Sequence, residues 1–116
     1  MGYRSDIVIA VTKEAALKYE TLLNKFDWVN KCASNRIVAN NGDVYWFIYG
    51  VKWYENSKEC IDLYNTFRLI DDEEDESMAY GFMRHGEDSF DEETRGQPDL
   101  FEIYSSRSIE TPVGNI

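Results

Sequence analysis

The run Arg84-His85-Gly86-Glu87 is the most reactive-looking stretch of the chain. It resembles the Arg-His-Gly run of enzymes in which a histidine takes up a phosphoryl group. That chemistry needs a second histidine, and His85 is the only one in 116 residues. A hydrolase triad also lacks its parts, since no Gly-x-Ser-x-Gly turn presents a nucleophile. No glycine-rich phosphate loop occurs. Asp71-x-Glu73-x-Asp75 opens like a calcium loop. Glu76, however, stands where that loop turns on glycine, and Phe82 stands where a bidentate Glu closes it. Cys32 and Cys60 form no Cys-x-x-Cys pair, and one histidine cannot complete a zinc set with them. Both read as reduced thiols in or near the core. The expectation is no enzyme, no metal and no cofactor. Carboxylate-only chemistry is the one catalytic route left.

Carboxylates are what the chain has in excess. Its 22 Asp and Glu face 12 Lys and Arg, a formal net charge of −10. This argues against holding nucleic acid by counterion release and against docking on anionic lipid. The excess is regional. Eleven acids lie between residues 71 and 93: Asp71, Asp72, Glu73, Glu74, Asp75, Glu76, Glu87, Asp88, Asp91, Glu92 and Glu93, with Arg84 the only base. The other 93 residues hold 11 acids and 11 bases. Charge runs are usually solvated loops. The functional reading is an acidic face that meets a basic partner surface.

A second candidate is an anion pocket built from Arg4, Lys52, Trp53, Arg84 and Arg107. The aromatic set Tyr45, Trp46, Phe47, Tyr49, Trp53 and Tyr54 offers stacking faces for a base. The same residues serve equally as core and rim.

The elements that must carry these groups are set by periodicity. Residues 3–11 read as a strand, with Ile7 to Val11 a continuous apolar run suited to burial on both faces. Thr12 caps a helix over 13–26, whose stripe is Ala15, Ala16, Tyr19, Leu22, Leu23 and Phe26. Trp28 and Val29 close over its end. Asn41-Gly42 marks a two-residue type I′ hairpin turn. In the long strand after it, Tyr45, Phe47, Tyr49, Val51 and Trp53 face one way. Val44, Trp46, Ile48, Gly50 and Lys52 face the other, and Gly50 is a candidate bulge. Asn56 and Glu59 form a capping box for a second helix that stops near Leu69, with Cys60, Leu63, Tyr64 and Phe67 buried. Residues 77–84 read as a strand, then an acidic loop runs through Pro98, and residues 100–109 form the last strand. The order β-α-β-β-α-β-β in one domain predicts an α+β fold. It is the ferredoxin-like plan with an added C-terminal strand, a mainly antiparallel sheet with two helices on one face.

Four stretches, YRSDIVIAV, VKWYENSKECIDL, GFMRHGED and SSRSIE, together resemble a group of short tailed-bacteriophage proteins. Members similarly open with a Met-Gly-Tyr-Arg-Ser-Asp strand and carry a Trp-Tyr segment before a helix. A Phe-x-Arg-x-Gly-Glu-Asp turn and a Ser-Arg-Ser-Ile strand come later in the chain. The resemblance touches most of the chain in patches. It implies a phage or prophage origin and action in the bacterial cytoplasm, and it carries no activity. His85 stands where the group is often apolar.

The expected function is a small acidic interaction protein. It would bind and inhibit a host defence or nucleic-acid-processing protein, such as a CRISPR complex or nuclease, through a DNA-imitating surface. The first alternative is a binder or sponge of a small nucleotide signal. The second is a non-enzymatic structural phage component, with a homodimer paired through the edge strand at 100–109. No run of about 20 apolar residues exists to span a membrane, and the N-terminus is a poor signal peptide.

Overall fold

In the computed structural model, residues 4–24, 34–88 and 90–116 are described. They form β1 (Arg4–Val11), α1 (Lys13–Leu23), β2 (Ser34–Val38), β3 (Val44–Lys52), α2 (Lys58–Asp71), β4 (Tyr80–Gly86) and β5 (Glu92–Gly96). The five strands make one sheet in the order β2-β3-β1-β4-β5, with every neighbouring pair antiparallel. The architecture is α+β, with two helices and an antiparallel main sheet. The expected Phe26, Trp28, Val29 and Cys32 positions lie outside the described residues.

Local chemistry sets the helix starts. The Thr12 hydroxyl accepts from the Ala15 N–H and donates to the Ser77 carbonyl, so one side chain caps α1 and ties it to the entry of β4. Ala15, Ala16, Tyr19 and Leu23 are buried, whereas the expected stripe member Leu22 is exposed. For α2 the cap is Ser57, which accepts from the Cys60 N–H at 3.3 Å, one residue later than the expected Asn56. The helix continues through Asp71 and buries Ile70, past the expected stop.

The pleat sorts the core into two layers. On one face, Ile7, Ile9, Val11, Trp46, Ile48 and Phe82 pack with Ala15, Leu23, Leu63 and Phe67 of the helices. On the other, Val8, Ala10, Tyr45, Phe47 and Met83 pack beneath Phe101, Ile103 and Ile109 of the C-terminal segment. Burying an apolar side chain of this size stabilises the fold by about 1.5–3 kcal/mol relative to exposure.

Three expectations are corrected. First, the β2–β3 hairpin has a three-residue loop rather than a two-residue type I′ turn. Gly42 N–H bonds to the Ala39 carbonyl, and only Gly42 takes positive φ (+94°) there, while Asn41 does not. That is a turn followed by a left-handed glycine. Second, β3 does not keep one parity. Its register with β1 shifts between Ser5 and Ile7, and Gly50 takes φ +64°. The bulge sends Val51 and Trp53 to the helix-covered face with Val44, Trp46 and Ile48. Third, residues 100–109 are not a strand of the main sheet. Pro98–Phe101 is a 3-10 turn, and Glu102 at φ +53° turns the chain. Beyond that turn lies a separate three-stranded sheet of β6 (Tyr104–Ser105), β7 (Ile109–Thr111) and β8 (Gly114–Asn115). The fifth strand of the main sheet is instead β5, inside the stretch expected to be an acidic loop. No continuous strand spans 100–109, the stretch expected to offer a dimer edge; Tyr104–Ser105 is instead an outer strand of the small sheet. Among the described residues no helix is long and apolar enough to cross a membrane.

Candidate functional site

The acidic residues group around β4 and β5, and the pleat divides their roles. Gly86 N–H bonds to the Asp91 carbonyl, and Gln97 N–H bonds to the Tyr80 carbonyl. The register pairs Arg84 with Glu93, His85 with Glu92 and Phe82 with Arg95. Opposite residues share a face. Arg84, Glu93 and Arg95 therefore lie on the helix side, and His85 and Glu92 lie on the side of the C-terminal segment.

Arg84 is buried, and its charge is answered on every side. Its guanidinium donates to both carboxylate oxygens of Asp91 (3.0 and 2.8 Å), to Glu93 Oε1 (3.2 Å) and to Ser5 Oγ (3.0 Å). It also lies 5.4 Å from the Trp53 ring. Burial opposes its charge, but the hydrogen bonds to Asp91 and Glu93 hold its pKa above the usual arginine value. Glu93 in turn accepts from Tyr64 Oη (2.9 Å) and Arg95 Nε (2.7 Å), and the Arg95 guanidinium stacks 3.6 Å from the Tyr64 ring centroid. Burial pushes the Glu93 carboxyl up, yet the bonds from Arg95, Tyr64 and Arg84 leave it below its ordinary value. Two cations and two anions thus neutralise each other where the end of β4 meets the start of β5. Isolated buried charges would be far costlier.

On the opposite face of the same strands a cleft of about 530 Å³ opens. Asp6, Glu87, Asp88, Asp91 and Glu92 line it with His85 and Arg107. His85 Nε2 lies 2.8 Å from Ser105 Oγ, and Ser105 donates to Glu92 Oε2 at 2.9 Å. The serine sits between imidazole and carboxylate and donates its hydrogen bond to the carboxylate. A nucleophilic relay places the imidazole in the middle instead. The rim is firmly built, since Arg4 N–H donates to Glu87 Oε1 at 2.7 Å and Asp88 Oδ1 accepts from Phe90 N–H at 3.1 Å. Phe90 is 94% exposed beside these carboxylates, and nothing in the hydrophobic pattern singles it out.

The other acidic loop forms a second cleft of about 460 Å³, lined by Asp71, Glu73, Glu74, Asp75, Glu76, Met78, Gln97 and Leu100. Hydrogen bonds from Lys18 and Tyr19 hold the Glu73 carboxyl below its usual range. The Ser77 N–H (2.9 Å) and hydroxyl (2.7 Å) do the same for Asp75. Tyr80 Oη donates to Asp71 at 3.3 Å. Asp72 and Glu74 are exposed.

The expected acidic face is therefore two clusters at opposite ends of β4. Seven strand residues separate them by about 20 Å. Glu93 points into the ion network rather than outward, and Asp91 serves both the network and the cleft wall. The expected anion pocket is gathered only loosely. Arg4 pairs with Lys52 in register, and the Arg4 guanidinium donates to the Gly50 carbonyl at 2.8 Å. Trp53 is core, Arg84 is neutralised, and of the five only Arg107 lines the cleft, among five carboxylates. Among the described residues no group of three His, Cys, Asp or Glu is placed to hold a metal ion. Cys60 is buried, and burial pushes its thiol pKa up. No family model, curated protein or solved structure matches the chain.

Proposed function

We propose that the chain is a non-enzymatic interaction protein of phage type that binds the basic surface of a host protein and blocks it, acting in the bacterial cytoplasm. The β-α-β-β-α-β portion is read as a ferredoxin-like framework that carries the acidic clusters. One observation supports this reading above the others. Nine of the eleven carboxylates of the 71–93 window line the two clefts at the ends of β4, while the rest of the chain is neutral. Complementary charge of this kind speeds encounter and selects partners.

Charge density refines the DNA-imitating form of the idea. Over about 20 Å, duplex DNA carries about twelve charges, and a single strand carries about half that. Arg84, Arg95 and Lys18 hold part of the acidic excess internally. The charge left outward is nearer to one phosphate strand than to a duplex.

The test is affinity capture from bacterial lysate with the wild-type chain and with an Asp72→Asn, Glu74→Gln, Glu76→Gln, Glu87→Gln variant. These positions are exposed and lie outside the Arg84 network. Basic proteins retained at low salt by the wild type should be lost by the variant. The same proteins retained equally by both would overturn the reading.

A further inference from the structure

β5 is the outermost strand of the main sheet and has no neighbour on its outer side among the described residues. Its hydrogen-bond phase is fixed by the bonds at its two ends, Gly86 to Asp91 and Gln97 to Tyr80. In an antiparallel ladder such bonded positions recur every second residue. Residues 91, 93, 95 and 97 therefore spend their backbone groups on β4. Glu92, Thr94 and Gly96 direct theirs outward. All three are exposed, and among the described residues no strand pairs with them on that side. The strand leads from one acid-lined cleft to the other: Asp91 and Glu92 line the first, and Gln97 lines the second.

We propose that this edge accepts an extended, basic segment of a partner protein as an added strand. Backbone bonds to Glu92, Thr94 and Gly96 would hold it, and Lys or Arg side chains near its ends would enter the two clefts. The proposal rests on the basic-partner reading above and names how that partner is held. An open edge supplies unpaired donors and acceptors in register, which is the requirement for strand addition. From Asp91 to Gln97 the edge runs about 20 Å, the length of about seven extended residues. Charge complementarity decides the occupant. A second copy would bring net charges of −10 together along the same edge and set acidic turn against acidic loop. A basic strand meets the opposite sign at both ends.

The probe is a synthetic nonapeptide with two lysines at each end and alternating valine and threonine between them, blocked at both termini and fluorescently labelled. A second copy carries N-methyl groups on its four central amides. This keeps charge and side chains but removes donors from both edges. At low salt the first peptide should bind saturably, and the N-methylated copy should bind at least tenfold more weakly. Amide exchange at Glu92 and Thr94 should slow on binding, while Glu93 and Arg95 are already protected without peptide. Thr94→Pro, which removes an outward donor only, should weaken binding to a similar degree. If the N-methylated copy binds as tightly as the first, strand addition is wrong and the acidic-surface reading stands. Binding without any change at Thr94 likewise overturns strand addition. If neither peptide binds, both readings fall.

Discussion

Replacing Arg84 with methionine keeps a stem of similar length against Trp53 and removes the guanidinium. Breaking a fully buried ion pair from one side costs about 3–5 kcal/mol, because the partner charge is left unanswered. Here the loss is softened twice. The Asp91 side chain is 32% exposed and can recruit water, and Glu93 keeps Arg95 and Tyr64. The expected cost is therefore about 2–3 kcal/mol. In a domain of this size that lowers Tm by about 10 °C. Urea denaturation followed by tryptophan fluorescence measures it, with the m-value unchanged if the native state keeps its compactness. In a Glu93→Gln background the same Arg84→Met change should cost about 1 kcal/mol less, because one of the stranded charges is gone. A Tm within about 2 °C of wild type, or strict additivity of the two changes, would refute the reasoning that Arg84 is a structural cation. Such a result would return Arg84 to the set of groups available to an anion.

The same corner of the fold yields two further expected outcomes. A Cβ on Gly96, which takes φ +69°, would fall 2.5 Å from the Tyr80 carbonyl oxygen, so Gly96→Ala should destabilise by at least about 2 kcal/mol in urea; an unchanged midpoint would contradict the close approach. Glu93, Glu73 and Asp75 all sit below their ordinary values when folded. A depressed carboxylate stabilises fully above its unfolded pKa and loses that contribution as pH falls through the folded one. The urea midpoint should therefore drop on acidification below pH about 4.5 and fall less steeply in Glu93→Gln; identical profiles for the two proteins would contradict the assigned hydrogen bonds.

How much sequence reveals here depends on how local the cause is. The Ile7 to Val11 run and the Thr12 cap are short-range signals, and β1 and α1 stand where they point. β5 carries no such signal. Glu-Glu-Thr-Arg-Gly has neither apolar alternation nor a run of branched residues, and it becomes a strand because Arg84 and Phe82 bring Glu93 and Arg95 alongside β4. The bulge at Gly50 is visible as a glycine, but its consequence is not. Only the register against β1 shows that Val51 and Trp53 change face. Residues 100–109 look like a strand because Phe101, Ile103 and Ile109 are apolar. They are buried under the sheet rather than within it, on a chain turned by Pro98 and Glu102. The acidic window is legible in sequence as charge alone. Its division into inward counter-ions and outward cleft walls depends on partners as distant as Tyr64 and Lys18.

The central claim is that outward carboxylates at the two ends of β4 bind a basic partner. It is tested most directly by the Kd of a captured, purified partner measured from about 50 to 300 mM salt, for the wild type and the four-site amide variant. The expected result is a wild-type Kd that weakens at least tenfold across that range, and a variant that binds weakly throughout with little further loss. A Kd insensitive to salt and equal in the two proteins would contradict the claim and move the binding surface away from residues 71–93.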